Sequence, residues 1–173
     1  MMIRQERVDE YSAVYDLIYQ AFLSAEHRDG TEQDLAAALR HSREFVPQLS
    51  LVAQCGNTIV GHCLFTKATV GHHTVLALAP LAVLPEYQRR GVGTALVREG
   101  HRIAREMGFP CVIVLGSQVY YPRLGYVPAG RYGIQAPFDV PPENFMVCSL
   151  QDRMPFMEGI IQYAPEFGIT AAE

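Results

Sequence analysis

Seven consecutive residues carry the clearest chemistry in this chain: Gln88, Arg89, Arg90, Gly91, Val92, Gly93 and Thr94. An apolar run from Leu76 to Leu84 precedes them, short and closed by Pro85, as a buried strand would be. A helical pattern follows, with Val92, Leu96, Ile103 and Met107 on one side, Gly100 beside them, and Arg98, Glu99, Arg102, Arg105 and Glu106 facing away. Strand, glycine-rich basic turn and helix in that order make an anion site. The first amides of a helix lack intrahelical acceptors and sit at the positive end of its dipole. Gly91 and Gly93 have no Cβ to hold a ligand off, and Arg89 and Arg90 bring fixed charge, so the shape suits phosphate and best a pyrophosphate. A tight strand–helix turn with solvated arginines has the same spacing, and the glycines alone do not separate the two. The Walker spacing is absent, and Leu96 stands where a dinucleotide fingerprint needs its third glycine.

The elements around this turn follow from periodicity. Met2 to Glu6 reads as a short strand, and Val14, Leu17, Ile18, Ala21 and Phe22 mark an amphipathic helix from about Glu10 to Leu23. Thr31, with Asp34 three residues on, signals the cap of a second helix running to about His41. His27 and Asp29, in the loop between, have no partner at metal-ligand spacing. Leu49–Gln54 and Thr58–Thr66 read as strands joined at Cys55-Gly56-Asn57, and Gly71-His72-His73 turns the chain into the strand that ends at Pro85. Pro85 has no backbone donor and suits a chain leaving a sheet. After the helix, Cys111–Leu115 is a further apolar strand, and a strand–helix–strand unit of this length implies parallel pairing in an otherwise antiparallel sheet. Beyond Arg131 the signals weaken: a proline-rich loop over Gly133–Glu143, a strand over Asn144–Leu150 and another over Met157–Tyr163, all expected to add antiparallel pairing. Pro165, Phe167 and Gly168 close an aromatic terminal segment expected to pack down.

A chain of 173 residues is enough for one core, and 49% hydrophobic with 18% charged residues is ordinary globular composition. The formal net charge of −4 lacks the basic footprint of a nucleic-acid binder. MMIRQERVDEYS has no apolar core and does not read as a secretion signal, and no run has the length of a membrane helix. Cys55, Cys63, Cys111 and Cys148 are scattered without CxxC spacing and read as free thiols rather than zinc ligands or a disulfide set. These features predict a soluble cytoplasmic α/β domain spanning 1–173, with no metal.

The string LAVLPEYQRRGVGT resembles the acyl-CoA-binding motif of the GNAT superfamily of N-acyltransferases, a strand and bend followed by Gln/Arg-x-x-Gly-x-Gly/Ala. Gln88, Gly91 and Gly93 match it, with Arg89, Arg90 and Val92 at the variable places. Downstream, GSQVYYPRLGY is similar to the family's Tyr-x-x-x-Gly-Phe/Tyr, through Tyr121, Gly125 and Tyr126. The resemblance implies a single-domain GNAT-like fold: a mixed, mostly antiparallel sheet, flanked by helices, whose two central parallel strands splay around the CoA site. It implies acetyl-CoA as co-substrate, with pantetheine lying along the backbone near Leu81, Ala82 and Val83 like an added strand, and phosphates held from Gln88 to Thr94. By position it makes Tyr121 the general acid that protonates the departing thiolate, with Tyr120 as its neighbouring fallback; a phenol is neutral at pH 7 and can donate to sulfur. As a reading of composition alone, both tyrosines are core aromatics with a polar tip. One departure stands out, because Leu115–Val119 holds none of the asparagine that many family members place there. The implied activity is direct acetyl transfer to a primary amine of a small molecule. A non-catalytic acyl-CoA sensor, or a transferase for protein N-termini, are the alternatives, and a homodimer is compatible with each. His62, His72, His73 and Glu86 are the groups able to take the amine's proton through water.

Overall fold

A computed structural model describes residues 1–26 and 28–169, so His27 lies outside the described residues. Seven strands form one sheet: β1 (Met2–Gln5), β2 (Phe45–Cys55), β3 (Thr58–Val70), β4 (His73–Val83), β5 (Cys111–Leu115), β8 (Phe145–Ser149) and β6 (Val127–Pro128), in that spatial order. The first four strands are an antiparallel meander, with β2 and β3 turning at Gly56-Asn57 and β3 and β4 at Gly71-His72. β4 and β5 are parallel, joined through helix α3 (Val92–Glu106), and β8 runs antiparallel between β5 and β6.

The joint between β4 and β5 is short. Only Leu76↔Val112 and Ala77↔Ile113 pair, although β4 continues to Val83 and β5 to Leu115. The reason lies on β4's other edge. Cys63 pairs with Leu81 but Phe65 with Leu78, so β4 carries one extra residue around Ala79-Pro80. An added residue bends a strand and increases its twist, and Pro80 has no N–H to offer a neighbour. The bulge therefore falls immediately after the last parallel pair, and the two strands part there.

Helix α3 covers one face. Val92, Leu96, Val97, Gly100, His101 and Ala104 are buried against the sheet, while Met107, expected on this face, is 44% exposed in the turn that ends the helix. A Cβ on Gly100 would lie 2.2 Å from Phe65 Cε2, so glycine sets how closely the helix approaches. On the opposite face, α1 (Tyr11–Phe22) buries Val14, Leu17, Ile18 and Ala21, the spacing that the sequence showed. α2 (Glu32–Leu39) follows, but Thr31 does not cap it with its side chain; its hydroxyl donates instead to Asp29 Oδ1 at 2.7 Å.

α2 is tied to the sheet through buried charge. Arg40 pairs with Glu6, both almost wholly enclosed, and the Ser50 hydroxyl donates to Glu6 Oε2 at 2.6 Å. With its proton so committed, Ser50 accepts from His62 Nε2 at 3.3 Å, which leaves His62 Nδ1 as a buried acceptor with no partner among the described residues.

The carboxyl-terminal region departs from expectation in two respects. Inside the stretch read as a loop, β7 (Ile134–Gln135) pairs with β9 (Gly159–Ile160), and this pairing is parallel rather than antiparallel. The strand expected over Met157–Tyr163 is thus two residues long, followed by an antiparallel bridge between Gln162 and Thr69. The aromatic end does pack down: Tyr163 stacks with Phe138 at 6.5 Å and meets Phe167 at 5.2 Å. All four cysteines are free; Cys63, Cys111 and Cys148 are buried. No helix among the described residues is long and apolar enough to cross a membrane.

Candidate active site

Where β4 leaves β5, the chain turns through Pro85–Tyr87 and enters α3. The cleft between has a volume of about 580 Å³. Its floor is the start of α3, one wall is the end of β4 with its loop, and the other is the turn after β5. Gly91 is the N-cap at φ +83, a left-handed conformation that glycine adopts without strain, and no side chain caps the helix. Ala95 N–H reaches Gly91 O at 3.0 Å. The amides of Val92, Gly93 and Thr94 come before that bond and are the helix's uncapped donors.

Leu81, Val83, Gln88, Arg89, Gly91, Val92, Gly93 and Thr94 all line this cleft. Two of the expected cofactor residues do not. Ala82 turns its methyl to the opposite face, among Val14, Leu17 and Ile18. Arg90 bends back so that its Cζ lies 5.9 Å from the Tyr87 ring centroid. Arg89 separates from Arg90 by taking φ +62, the one positive φ of a non-glycine residue among the described residues. Left-handed backbone disfavours such a residue by roughly 1–2 kcal/mol, and strain of this kind collects at functional sites. Gln88 uses its side chain on the protein itself, donating to Val83 O at 3.0 Å and pinning the loop to the strand end.

The two tyrosines divide the far wall. Tyr120 lines the cleft, with its hydroxyl 3.1 Å from Thr94 Oγ1 and 3.1 Å from where a Gly93 Cβ would stand. Tyr121 does not line it. Only 9% exposed, it opens the turn Tyr121–Leu124 and lies edge-on to Tyr120 at 5.0 Å and Tyr126 at 5.4 Å. A Cβ on Gly116 would be 2.4 Å from Tyr121 Cε2, so the ring rests on a glycine. Among the described residues its hydroxyl neither meets a hydrogen-bond partner nor is sealed from solvent. Burial, then the neighbouring Tyr120 and Cys63, raise its pKa well above the usual phenol value. Tyr121 therefore stays protonated at neutral pH.

Behind it, Tyr126 bonds His101 Nε2 at 2.8 Å, and burial lowers the His101 pKa to about 4. Tyr87 and Arg123 are the cleft's unforeseen members, and His101 lies behind it. Arg123 was visible as a cation two residues past Tyr121; His101 sits one position from Gly100 on a face that periodicity had already marked as buried.

The candidate proton acceptors scatter. His62 is wholly enclosed. His72 and His73 sit at the opposite end of β4, about 30 Å from Val83 at the rise of a strand. Glu86 is exposed on the turn before the cleft but does not line it. Asn144, which precedes β8, donates to Gly116 O at 3.0 Å, so the asparagine missing after β5 is not replaced in the cleft by this one. No group of three or more potential metal ligands is found among the described residues.

Two parallel strands part beside an uncapped, glycine-rich helix start, the arrangement that the resemblance to the GNAT superfamily implies. Comparison with known proteins agrees. The sequence profile of the Acetyltransferase (GNAT) family matches residues 11–126. The uncharacterized N-acetyltransferase YjhQ of Escherichia coli K12 is 43% identical over 141 residues, 77% of this chain and 78% of its own length. The crystal structure of the GNAT acetyltransferase YhbS from Escherichia coli with CoA superposes at TM-score 0.87 over 99% of this chain and 95% of its own, at 24% identity. A GNAT family acetyltransferase from Brucella melitensis, in complex with acetyl-CoA, gives 0.80 over 96% and 97% at 26% identity. The chain belongs to the GNAT acetyltransferase family, and it is an N-acetyltransferase.

Proposed function

We propose that the protein, a cytoplasmic domain spanning 1–173, transfers acetyl from acetyl-CoA to a primary amine of a small molecule. The observation that carries the cofactor's placement is the unpaired β4–β5 gap opening onto the uncapped amides of Val92, Gly93 and Thr94. Pyrophosphate fits those amides with Arg89 beside them, and pantetheine fits the free edge of β4 at Leu81 to Val83. The thioester then lies near the bulge, where the strands divide.

The amine nitrogen attacks the thioester carbon, a C–N bond forms, and the C–S bond breaks with its electron pair going to sulfur. Tyr121 gives its proton to that sulfur. The role rests on the place of Tyr121 in the Tyr-x-x-x-Gly-Tyr match. Burial keeps the phenol protonated, and among the described residues its hydroxyl meets no hydrogen-bond partner, although the ring lies behind Tyr120, which lines the cleft. The proton lost by the amine passes to solvent, and the Tyr121 phenolate takes one back from solvent. Tyr120, already bonded to Thr94, holds the wall of the cleft.

The experiment follows free thiol release from acetyl-CoA across a panel of amines, in the wild type, Tyr121→Phe and Tyr120→Phe. Tyr121→Phe should lower turnover by roughly 10²–10⁴, the range for a positioned acid, while leaving acetyl-CoA affinity nearly unchanged. Wild-type turnover in Tyr121→Phe, or the larger loss in Tyr120→Phe, would take the role from Tyr121. Tight acetyl-CoA binding with no amine turned over would favour a sensor instead.

A further inference from the structure

The cleft is cationic on both walls and has no carboxylate in its lining. Arg89 comes from the loop before α3 and Arg123 from the turn after β5, and neither has a carboxylate within 4.0 Å among the described residues. The charge on CoA is not concentrated at one place. Beyond the pyrophosphate, its ribose carries a separate 3′-phosphate.

The order of groups along CoA can be laid against the cleft. With the thioester at the strand gap and pantetheine along Leu81 to Val83, the pyrophosphate meets the floor at Gly91 to Thr94. Arg89 stands next to that floor in sequence. Arg123 belongs to the opposite wall, where the Tyr120 hydroxyl already lies against Thr94 and Gly93. Arg123 is an exposed residue three positions further along the same wall. The part of CoA that remains for it is the phosphorylated ribose.

We propose that Arg123 pairs with the 3′-phosphate of CoA and makes this enzyme distinguish CoA from dephospho-CoA. The inference rests on the acyl-CoA reading of the cleft. A guanidinium suits the task, because its planar fork can give two parallel hydrogen bonds to one phosphate. The contact is exposed, so its contribution declines as salt is added.

Calorimetric titration of the purified protein with CoA and with 3′-dephospho-CoA tests it, in the wild type and in Arg123→Gln. The wild type should bind CoA about tenfold tighter, the scale of one charge-assisted contact at an exposed site. Arg123→Gln should abolish that preference by weakening CoA alone, with dephospho-CoA binding as before and circular dichroism unchanged. Equal affinity of the wild type for both ligands overturns the inference and leaves the acyl-CoA reading intact. So does an equal loss for both ligands in Arg123→Gln, which would place the guanidinium on the pyrophosphate. A wild type that binds neither ligand overturns the acyl-CoA reading, and this inference with it.

Discussion

Lowering the pH from 7 to 5 should remove about 4 kcal/mol of folding stability, about half of it through one imidazole. His62 is 0% exposed. The groups facing it are the Ser50 hydroxyl at 3.3 Å, Glu6 Oε1 at 3.9 Å and the Arg40 guanidinium that pairs with Glu6. Burial first, and Arg40 second, lower its pKa from 6.5 to about 3. The unfolded chain takes up this proton near pH 6.5, and the folded chain does so only near pH 3. Between those values the unfolded state binds more protons, so stability is complete above 6.5 and declines as the pH falls. The slope approaches 1.36 kcal/mol per pH unit, and the interval from 7 to 5 amounts to about 2 kcal/mol. His101, lowered from 6.5 to about 4 mainly by burial, contributes a similar amount. Carboxylates barely titrate above pH 5, which keeps the window clean. The chain has no tryptophan, so urea unfolding is best followed by circular dichroism at pH 5, 6 and 7. His62→Gln keeps an N–H for Ser50 but cannot take up a proton. It should lose about 2 kcal/mol less than the wild type over the interval. The same pH slope in both proteins would refute the argument.

Two further expectations concern glycines. Gly91→Asp puts a carboxylate beside the uncapped amides with no atom within 4 Å of its Cβ, at a backbone strain of about 1–2 kcal/mol from φ +83; CoA affinity should fall at least roughly tenfold by calorimetry, with circular dichroism reporting a retained fold. Gly100→Ala drives a Cβ to within 2.2 Å of the Phe65 ring and should destabilise by about 1–3 kcal/mol, lowering the melting temperature by several degrees. Adding Phe65→Leu should recover part of that loss, and an unshifted melt in the single variant would contradict the close approach of α3 to the sheet.

What was legible beforehand was whatever one segment states about itself. The spacing of Val14, Leu17, Ile18 and Ala21 placed α1 to within a residue at each end, because a helix that buries one face must repeat. Gly91 and Gly93 marked the turn into α3, because the left-handed backbone at Gly91 is one that glycine adopts without strain. Features that depend on a second segment stayed hidden. Thr31 carries a capping hydroxyl, but Asp29 captures it. β7 and β9 are two residues each, too short for any period to register. Met107 fits the apolar face of α3 by spacing, yet the helix's closing turn leaves it open. Which of two adjacent tyrosines faces the cleft was settled by Gly116, whose missing Cβ admits the ring of Tyr121 beneath the wall.

The two-residue joint between β4 and β5 also bears on how the sheet holds itself together. Strands β1 to β4 form one leaf, strands β5, β8 and β6 another, and the parallel pairs at Leu76 and Ala77 are the whole hydrogen-bonded spine. Beyond it, two strand edges face each other inside the molecule with their inward N–H and C=O groups unmatched by strand. Edges of that kind on an outer surface invite pairing with other chains. Here they confront one another across a cleft whose floor is the start of α3 and whose far wall carries Tyr120. An occupant of the cleft does more than dock. On the acyl-CoA reading proposed above it would bridge the leaves along the length where they part, so filling the site should slow amide hydrogen exchange from Leu78 to Val83 on both sides of the bulge.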